Sequence, residues 1–125
     1  MAHRHPRYDC GPGCPVEAAL ALIGGKWKGV VLHHLLEEGT LRFTELRRRM
    51  PGATPRVLVR QLRELEQHGL IARTIFAAVP ARVEYAPTPL GRSLRPVIAS
   101  LRDWGNGWLA SQAAGPDVPA IRRAG

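Results

Sequence analysis

Three arginines and two cysteines are the residues of this sequence best suited to chemistry. Arg56, Arg60 and Arg63 fall within about 60° of one another when residues 54–68 are written on a helix at about 100° per residue. A guanidinium is a planar fork of donors that matches phosphate oxygens and the exposed edge of guanine. Three such forks on one side suit an anionic, double-stranded partner. Leu58, Leu62 and Leu65 fall opposite them as an apolar stripe, so one face can join a core while the other meets a ligand. Charged helix faces are usually only solvated. Here the stretch has no lysine, and Glu64 and Glu66 stand off the arginine line.

Cys14 precedes Pro15, and proline suits the first position of a helix, which puts Cys14 at the N-cap. There the free amides and the positive end of the dipole favour thiolate over thiol. A thiolate can be oxidised to a sulfenic acid and condense with a second thiol. Cys10 lies across Gly-Pro-Gly from it, close enough for a bridge within the chain or to another subunit. A redox- or electrophile-sensing pair and a half-buried structural cysteine both fit the residues. His3, His5, Cys10 and Cys14 match no common zinc spacing, so no metal is expected. There is no glycine-rich phosphate loop, paired-carboxylate cleft or nucleophile elbow, so neither an enzyme nor a cofactor is expected.

The chain of 125 residues supports one domain with a modest core. Its net charge of +8 points to an acidic partner, nucleic acid or an anionic surface. No apolar run is long enough to span a bilayer, and the first residues lack the apolar segment of a secretory signal. A cytoplasmic protein with mostly reduced cysteines is the expectation.

Positioning the arginines requires elements on either side of them. Residues 1–13, rich in Gly and Pro, read as a mobile arm. A helix from Pro15 has Glu17 in its first turn and Ala18, Ala19, Leu22 and Ile23 on its apolar side, and it stops at Gly24-Gly25. A second helix turns Trp27, Val30, Val31 and Leu35 inward and stops at Gly39, with His33 and His34 as surface or packing residues. Residues 40–43 read as extended. Thr44 can cap a helix that carries Leu46 and Met50 inward. The turn at 51–53 then leads into Thr54-Pro55, a second cap-plus-proline start. Helix, tight turn and second helix with a polar outer face make a helix-turn-helix.

Gly69 closes the arginine helix, and residues 71–77 and 82–86 read as two strands around Val79-Pro80-Ala81. A hairpin in this place is the wing of a winged helix-turn-helix, with Arg82 near its tip and Arg73 at its base. Thr88-Pro89 opens the last segment, where Leu94, Val97, Ile98, Leu101, Trp104 and Trp108 recur at helical spacing. Pro96 should kink or split it. Little domain remains to cover this stripe, which predicts pairing with a second copy. Residues 111–125 read as a disordered tail.

Read in order, Cys14-Pro15-Val16-Glu17, Ile23-Gly24-Gly25-Lys26-Trp27, Arg42-Phe43-Thr44-Glu45-Leu46-Arg47, Leu62-Arg63-Glu64-Leu65-Glu66 with Gly69-Leu70-Ile71, Val79-Pro80 with Val83-Glu84-Tyr85, and Leu90-Gly91-Arg92-Ser93-Leu94 form one string over residues 14–109. That string resembles the HxlR family of bacterial winged helix-turn-helix regulators, relatives of the MarR group. The resemblance implies a mainly α fold with a small β-hairpin, a winged helix-turn-helix domain at 14–110 with terminal dimerisation helices. It also implies a homodimer that binds double-stranded operator DNA and regulates, as a repressor in the simplest case, neighbouring genes.

On that reading helix 54–68 enters the major groove and wing 71–86 lies on flanking DNA. Thr54, Pro55 and the amides beside them face phosphate. Arg56 and Arg60, with Val59 between them, read bases; Arg63 and Arg47, helped by Arg48 and Lys26, hold backbone; Arg82 reaches flanking backbone or minor groove. The dimer interface implied at 15–23 and 90–109 comprises Val16, Leu20, Ile23, Leu94, Ile98, Leu101, Trp104 and Trp108. In several family members a cysteine at the Cys14 position senses oxidants or electrophiles. The alternative is a ligand-gated regulator with structural Cys14, its small molecule held between DNA-binding and dimer helices by Trp27, Phe43, Trp104 and Trp108.

Overall fold

A computed structural model describes residues 14–115. The expected mobile arm at 1–13, with Cys10, and residues 116–125 of the expected tail lie outside the described residues. Among the described residues, six helices and the strands of a three-stranded antiparallel sheet follow one another.

Helix α1 (Pro15–Ile23) starts at Cys14, whose carbonyl accepts from the Ala18 amide at 2.9 Å. It ends where the Gly24 amide donates to the Leu20 carbonyl. Of its expected apolar side, Ile23 is buried and Leu22 and Ala18 are half-buried, while Ala19 faces solvent. Helix α2 (Lys28–Glu38) buries Val31, Leu32, Leu35 and Leu36. The inward face is therefore rotated from the expected one: Val30 is exposed, and Leu32 and Leu36 join the core. Gly39, with φ of 88°, reverses the chain after α2.

Strand β1 (Leu41–Arg42) leads directly into α3 (Phe43–Arg49), two residues earlier than a Thr44 cap requires. Arg42 is the N-cap, and its amide donates to Glu45 Oε1 at 2.9 Å. Thr44 therefore lies within the first turn. Leu46 and Met50 are buried, as expected. Helix α4 (Pro55–Gln67) begins at Thr54, whose Oγ1 accepts from the Val57 amide at 3.2 Å. Such a cap contributes about 1 kcal/mol. Leu58, Leu62 and Leu65 are all buried, and at roughly 1.5–3 kcal/mol for each fully buried leucine the stripe outweighs the cap several-fold. Packing, more than local propensity, fixes how α4 is rotated.

The wing consists of β2 (Ile71–Phe76) and β3 (Arg82–Pro87), antiparallel from Ile71↔Pro87 to Phe76↔Arg82. Strand β1 pairs with the other edge of β3, Leu41 opposite Tyr85 and Arg42 opposite Glu84. The sheet order is thus β1-β3-β2, and the wing is stitched to the helix-turn-helix rather than hanging from it.

The segment after Thr88 splits at Ser93-Leu94, just before Pro96. A short α5 (Pro89–Arg92) is capped by Thr88 Oγ1, which accepts from the Gly91 amide at 3.1 Å. Gly91 is required there: a Cβ on it would lie 2.1 Å from the Leu70 carbonyl oxygen. Helix α6 (Arg95–Ala113) then starts with Pro96 in its first turn, where the missing amide costs no hydrogen bond. It continues through Gly105 and Gly107 and past the expected boundary at 110, so residues 111–113 are helical. Ile98 anchors α6 in the core. Arg95 Nη1 donates to the Leu36 carbonyl at 3.1 Å, and Arg102 Nη1 reaches Glu37 Oε1 at 2.9 Å. His33 and His34 lie on α2, and burial, with the charges of His33 and Arg49, holds His34 below the usual histidine range.

Candidate nucleic-acid interface

The leucine stripe turns Arg56, Arg60 and Arg63 outward, and all three are exposed. Arg47 and Arg48 of α3 and Arg42 of β1 are also exposed, and among the described residues none of these six arginines forms an ion pair. Every other described arginine is engaged: Arg49 by Glu38, Arg73 by Glu66, Arg82 by Glu84, Arg102 by Glu37 and Asp103, Arg92 by the Pro87 carbonyl and Arg95 by that of Leu36. The acids of α4 are drawn away from its arginine face. Glu64 Oε2 meets Lys28 Nζ of α2 at 2.9 Å, and that hydrogen bond holds its carboxyl below the usual range. Glu66 Oε2 meets Arg73 Nε of β2 at 3.2 Å. The more exposed of the two, Glu66–Arg73, contributes little stability. The effect of both pairs is to leave uncompensated positive charge on one side of the helix-turn-helix.

The wing arginines are held otherwise. Arg82 sits at the far rung of the hairpin, as expected, but its guanidinium folds back, 4.3 Å from the Phe76 ring centroid and 2.9 Å from Glu84 Oε2. Arg73 is at the wing base, clamped by Glu66. Between the start of α3, the outer part of α4 and the wing lies an open cleft of about 580 Å³, floored by apolar side chains that include Phe43 and Tyr85 and rimmed by Arg42, Arg63, Arg73 and Arg82. Val59 lines it too.

Cys14 is half-buried at the N-cap of α1, and its side chain makes no capping hydrogen bond. His3, His5 and Cys10, which would complete a four-ligand metal set, lie outside the described residues; among the described ones no such cluster exists. Val16 and Leu20 on α1 and Leu101, Trp104 and Trp108 on α6 are exposed, Trp104 at 73% of its surface. The other residues assigned to the interface are used within the chain: Ile23 and Ile98 are buried in its core, and Leu94 packs against that core. The four aromatic residues proposed to line an effector pocket are not brought together in one chain. Trp27 packs beside Gly52, Phe43 lies in the wing cleft, and Trp104 and Trp108 are open to solvent. No described helix is long and apolar enough to cross a membrane.

Residues 22–113 match the HxlR-like helix-turn-helix family. The chain belongs to this family. Among its relatives is the uncharacterized HTH-type transcriptional regulator YdeP of Bacillus subtilis, 53% identical over 93 residues, 74% of this chain and 72% of YdeP. The redox regulator HypR in its oxidized form is 43% identical with a TM-score of 0.71, over 84% of this chain and all of that one. The reduced form of the transcriptional regulator YodB from B. subtilis is 32% identical with a TM-score of 0.64, over 75% of this chain and 92% of that one. This HxlR-like chain is accordingly a transcriptional regulator with a winged helix-turn-helix DNA-binding fold, and its relatives are regulators rather than enzymes.

One candidate residue of this HxlR-like fold escaped the sequence reading. Arg42 lies on the rim of the wing cleft because β1 joins the sheet. The available signal was the extended stretch at 40–43 together with a hairpin further along whose free edge needs a partner.

Proposed function

We propose that this regulator acts in the cytoplasm as a homodimer on operator DNA, with α4 in the major groove. The observation that carries the reading is the concentration of unpaired arginines on β1, α3 and α4, while the other described arginines are held by carboxylates or backbone carbonyls. The start of α4 at Thr54 and Pro55 faces phosphate, its amides and dipole aiding the contact. Arg56 and Arg60 reach base edges, Val59 lies between them, and Arg63 and Arg47 grip backbone. Arg82 leaves Glu84 to reach flanking DNA. Two copies pair through the exposed faces of α1 and α6, which sets the two α4 helices about 34 Å apart.

The dimer is the part of this reading that a single variant tests. Trp104→Glu places a charge in the middle of the exposed apolar face. Light scattering should report monomers for the variant and dimers for the wild type, and affinity for a two-half-site duplex should fall at least about 100-fold as the two half-sites cease to be linked. A variant that stays dimeric and binds normally would place the interface elsewhere.

A signal enters at Cys14 in this reading. Its half-buried thiol makes no capping hydrogen bond, and the likeness to a redox regulator supports an oxidant as the signal over a small ligand. The thiol-oxidant diamide should release DNA from the wild type and not from Cys14→Ser. Equal release from both would favour the ligand-gated alternative, with Cys14 structural.

A further inference from the structure

The wing ends in a tip whose side chains have nothing with which to hold phosphate. Residues 75–81 run Ile-Phe-Ala-Ala-Val-Pro-Ala, with no charged or hydrogen-bonding side chain among them. All of them are exposed, Val79 completely. Lone exposed apolar side chains are ordinary, but a continuous apolar run on a surface marks something that it meets. Arg82, next in the chain, stands a rung below the tip, folded on Phe76 and paired with Glu84. Ala78, Pro80 and Ala81 border the wing cleft, and Val79 stands outside it. The hairpin behind the tip is firm. It is paired from Ile71↔Pro87 to Phe76↔Arg82, and β1 braces it at Glu84 and Tyr85. The tip is also continuous with the arginine surface, because the unpaired Arg42 and Arg63 rim the same cleft.

Rungs about 3.4 Å apart set the last one about 17 Å from the first. On B-DNA that is half of a turn of about 34 Å, the step from a major groove to the neighbouring minor groove. A tip without side-chain donors gains little from phosphate there. An apolar wedge between stacked bases does gain, since it buries its own surface against the bases it parts. We propose that Val79 and Pro80 form a wedge that opens one base step beside each half-site and bends the duplex. The flanking sequence is then chosen by how easily it deforms, not by hydrogen bonds. Arg82 follows onto the phosphate next to the opened step. The proposal rests on the DNA reading above and adds to it a deformation that a wing held by arginine alone does not produce.

The test uses the full chain and a duplex carrying the motif it selects from a random pool, with a dye at each end. Two flanks are compared, one of alternating TA and one an A-tract. Both present the same acceptors in the minor groove, but TA steps open easily and A-tracts are stiff. The wild type should bend the TA duplex by at least about 20° and raise the emission of 2-aminopurine placed in that flank. It should also favour the TA flank over the A-tract at least about fivefold. Val79→Ser/Pro80→Ser should leave the duplex straight, the probe stacked and the preference below about twofold, while unfolding at the wild-type temperature. Val79→Ile keeps the tip apolar and should keep all three signals. A wild type that binds the duplex and leaves it straight and stacked would overturn the wedge, as would a serine double variant that bends it equally. A preference for the A-tract would also overturn it, assigning the wing to arginine in a narrow groove. So would sedimentation of the DNA-free protein that changes in the double variant, which assigns the tip to a second copy. A wild type that binds no duplex overturns the DNA reading itself, and the wedge with it.

Discussion

Replacing Arg56 or Arg60 by alanine is expected to cost about 1–3 kcal/mol of discrimination, roughly 10- to 100-fold in affinity for the preferred sequence, with little change for scrambled duplex. Both side chains are exposed on the first half of α4, and both lack an acidic partner to be displaced from. Each guanidinium is therefore ready to donate two parallel hydrogen bonds to one guanine, a geometry that lysine cannot copy. Arg56→Lys should consequently fail to restore the preference. Arg63→Ala should behave differently, because Arg63 lies a turn further along. Its loss should lower affinity for all sequences alike and reduce the salt slope by about one. Fluorescence anisotropy on preferred and scrambled duplexes, across a salt series, separates the two behaviours.

Leu58→Ala is expected to destabilise the fold by about 2–5 kcal/mol, the range for a leucine deleted from a closely packed core. Leu58 is 0% exposed and sits on the inner face of α4, which packs on α2 and β2. In a domain near 100 residues each kcal/mol moves the unfolding midpoint by about 4–8 °C, so a fall of at least about 8 °C is expected. Gln67→Ala, on the exposed end of the same helix, should stay within about 0.5 kcal/mol. Denaturant unfolding at one fixed protein concentration measures both, since a dimer's stability depends on concentration. A cavity behind α4 should also loosen the arginine face, and DNA affinity should drop with stability in Leu58→Ala alone.

Much of this fold was legible because local signals agreed with the tertiary outcome. Cys14-Pro15, Thr54-Pro55 and Thr88-Pro89 each mark a helix start where one is found, because cap and proline act through the nearest backbone alone. The leucine stripe of α4 gave both its core face and its arginine face. Other features depend on partners distant in the chain. Which side of α2 faces inward, Val30 or Leu32 and Leu36, is decided by the elements packed around it, since the helix is apolar on both sides. Two-residue β1 has too few positions to show alternation, and only its pairing with β3 makes it a strand. The end of α6 carries no stripe, yet Ala, Ser and Gln continue a helix already begun.

The candidate site was legible to a similar depth. The arginines of α4 could be placed from spacing, but their freedom could not, because it depends on Lys28 taking Glu64 and Arg73 taking Glu66. Arg82 could be put near the wing tip but not folded onto Phe76 and Glu84. On the apolar face, Ile98 and Leu101 share one periodic stripe, and only packing separates the residue that enters the core from the one left for a partner.

Selection of bound duplexes from a random pool tests the central claim most directly. The account predicts enrichment of two inverted copies of one short motif, their centres about 10 base pairs apart, and loss of that motif when the selection is repeated with the Arg56→Ala/Arg60→Ala double variant. A pool no different from its input, or the same motif enriched by the double variant, would contradict it.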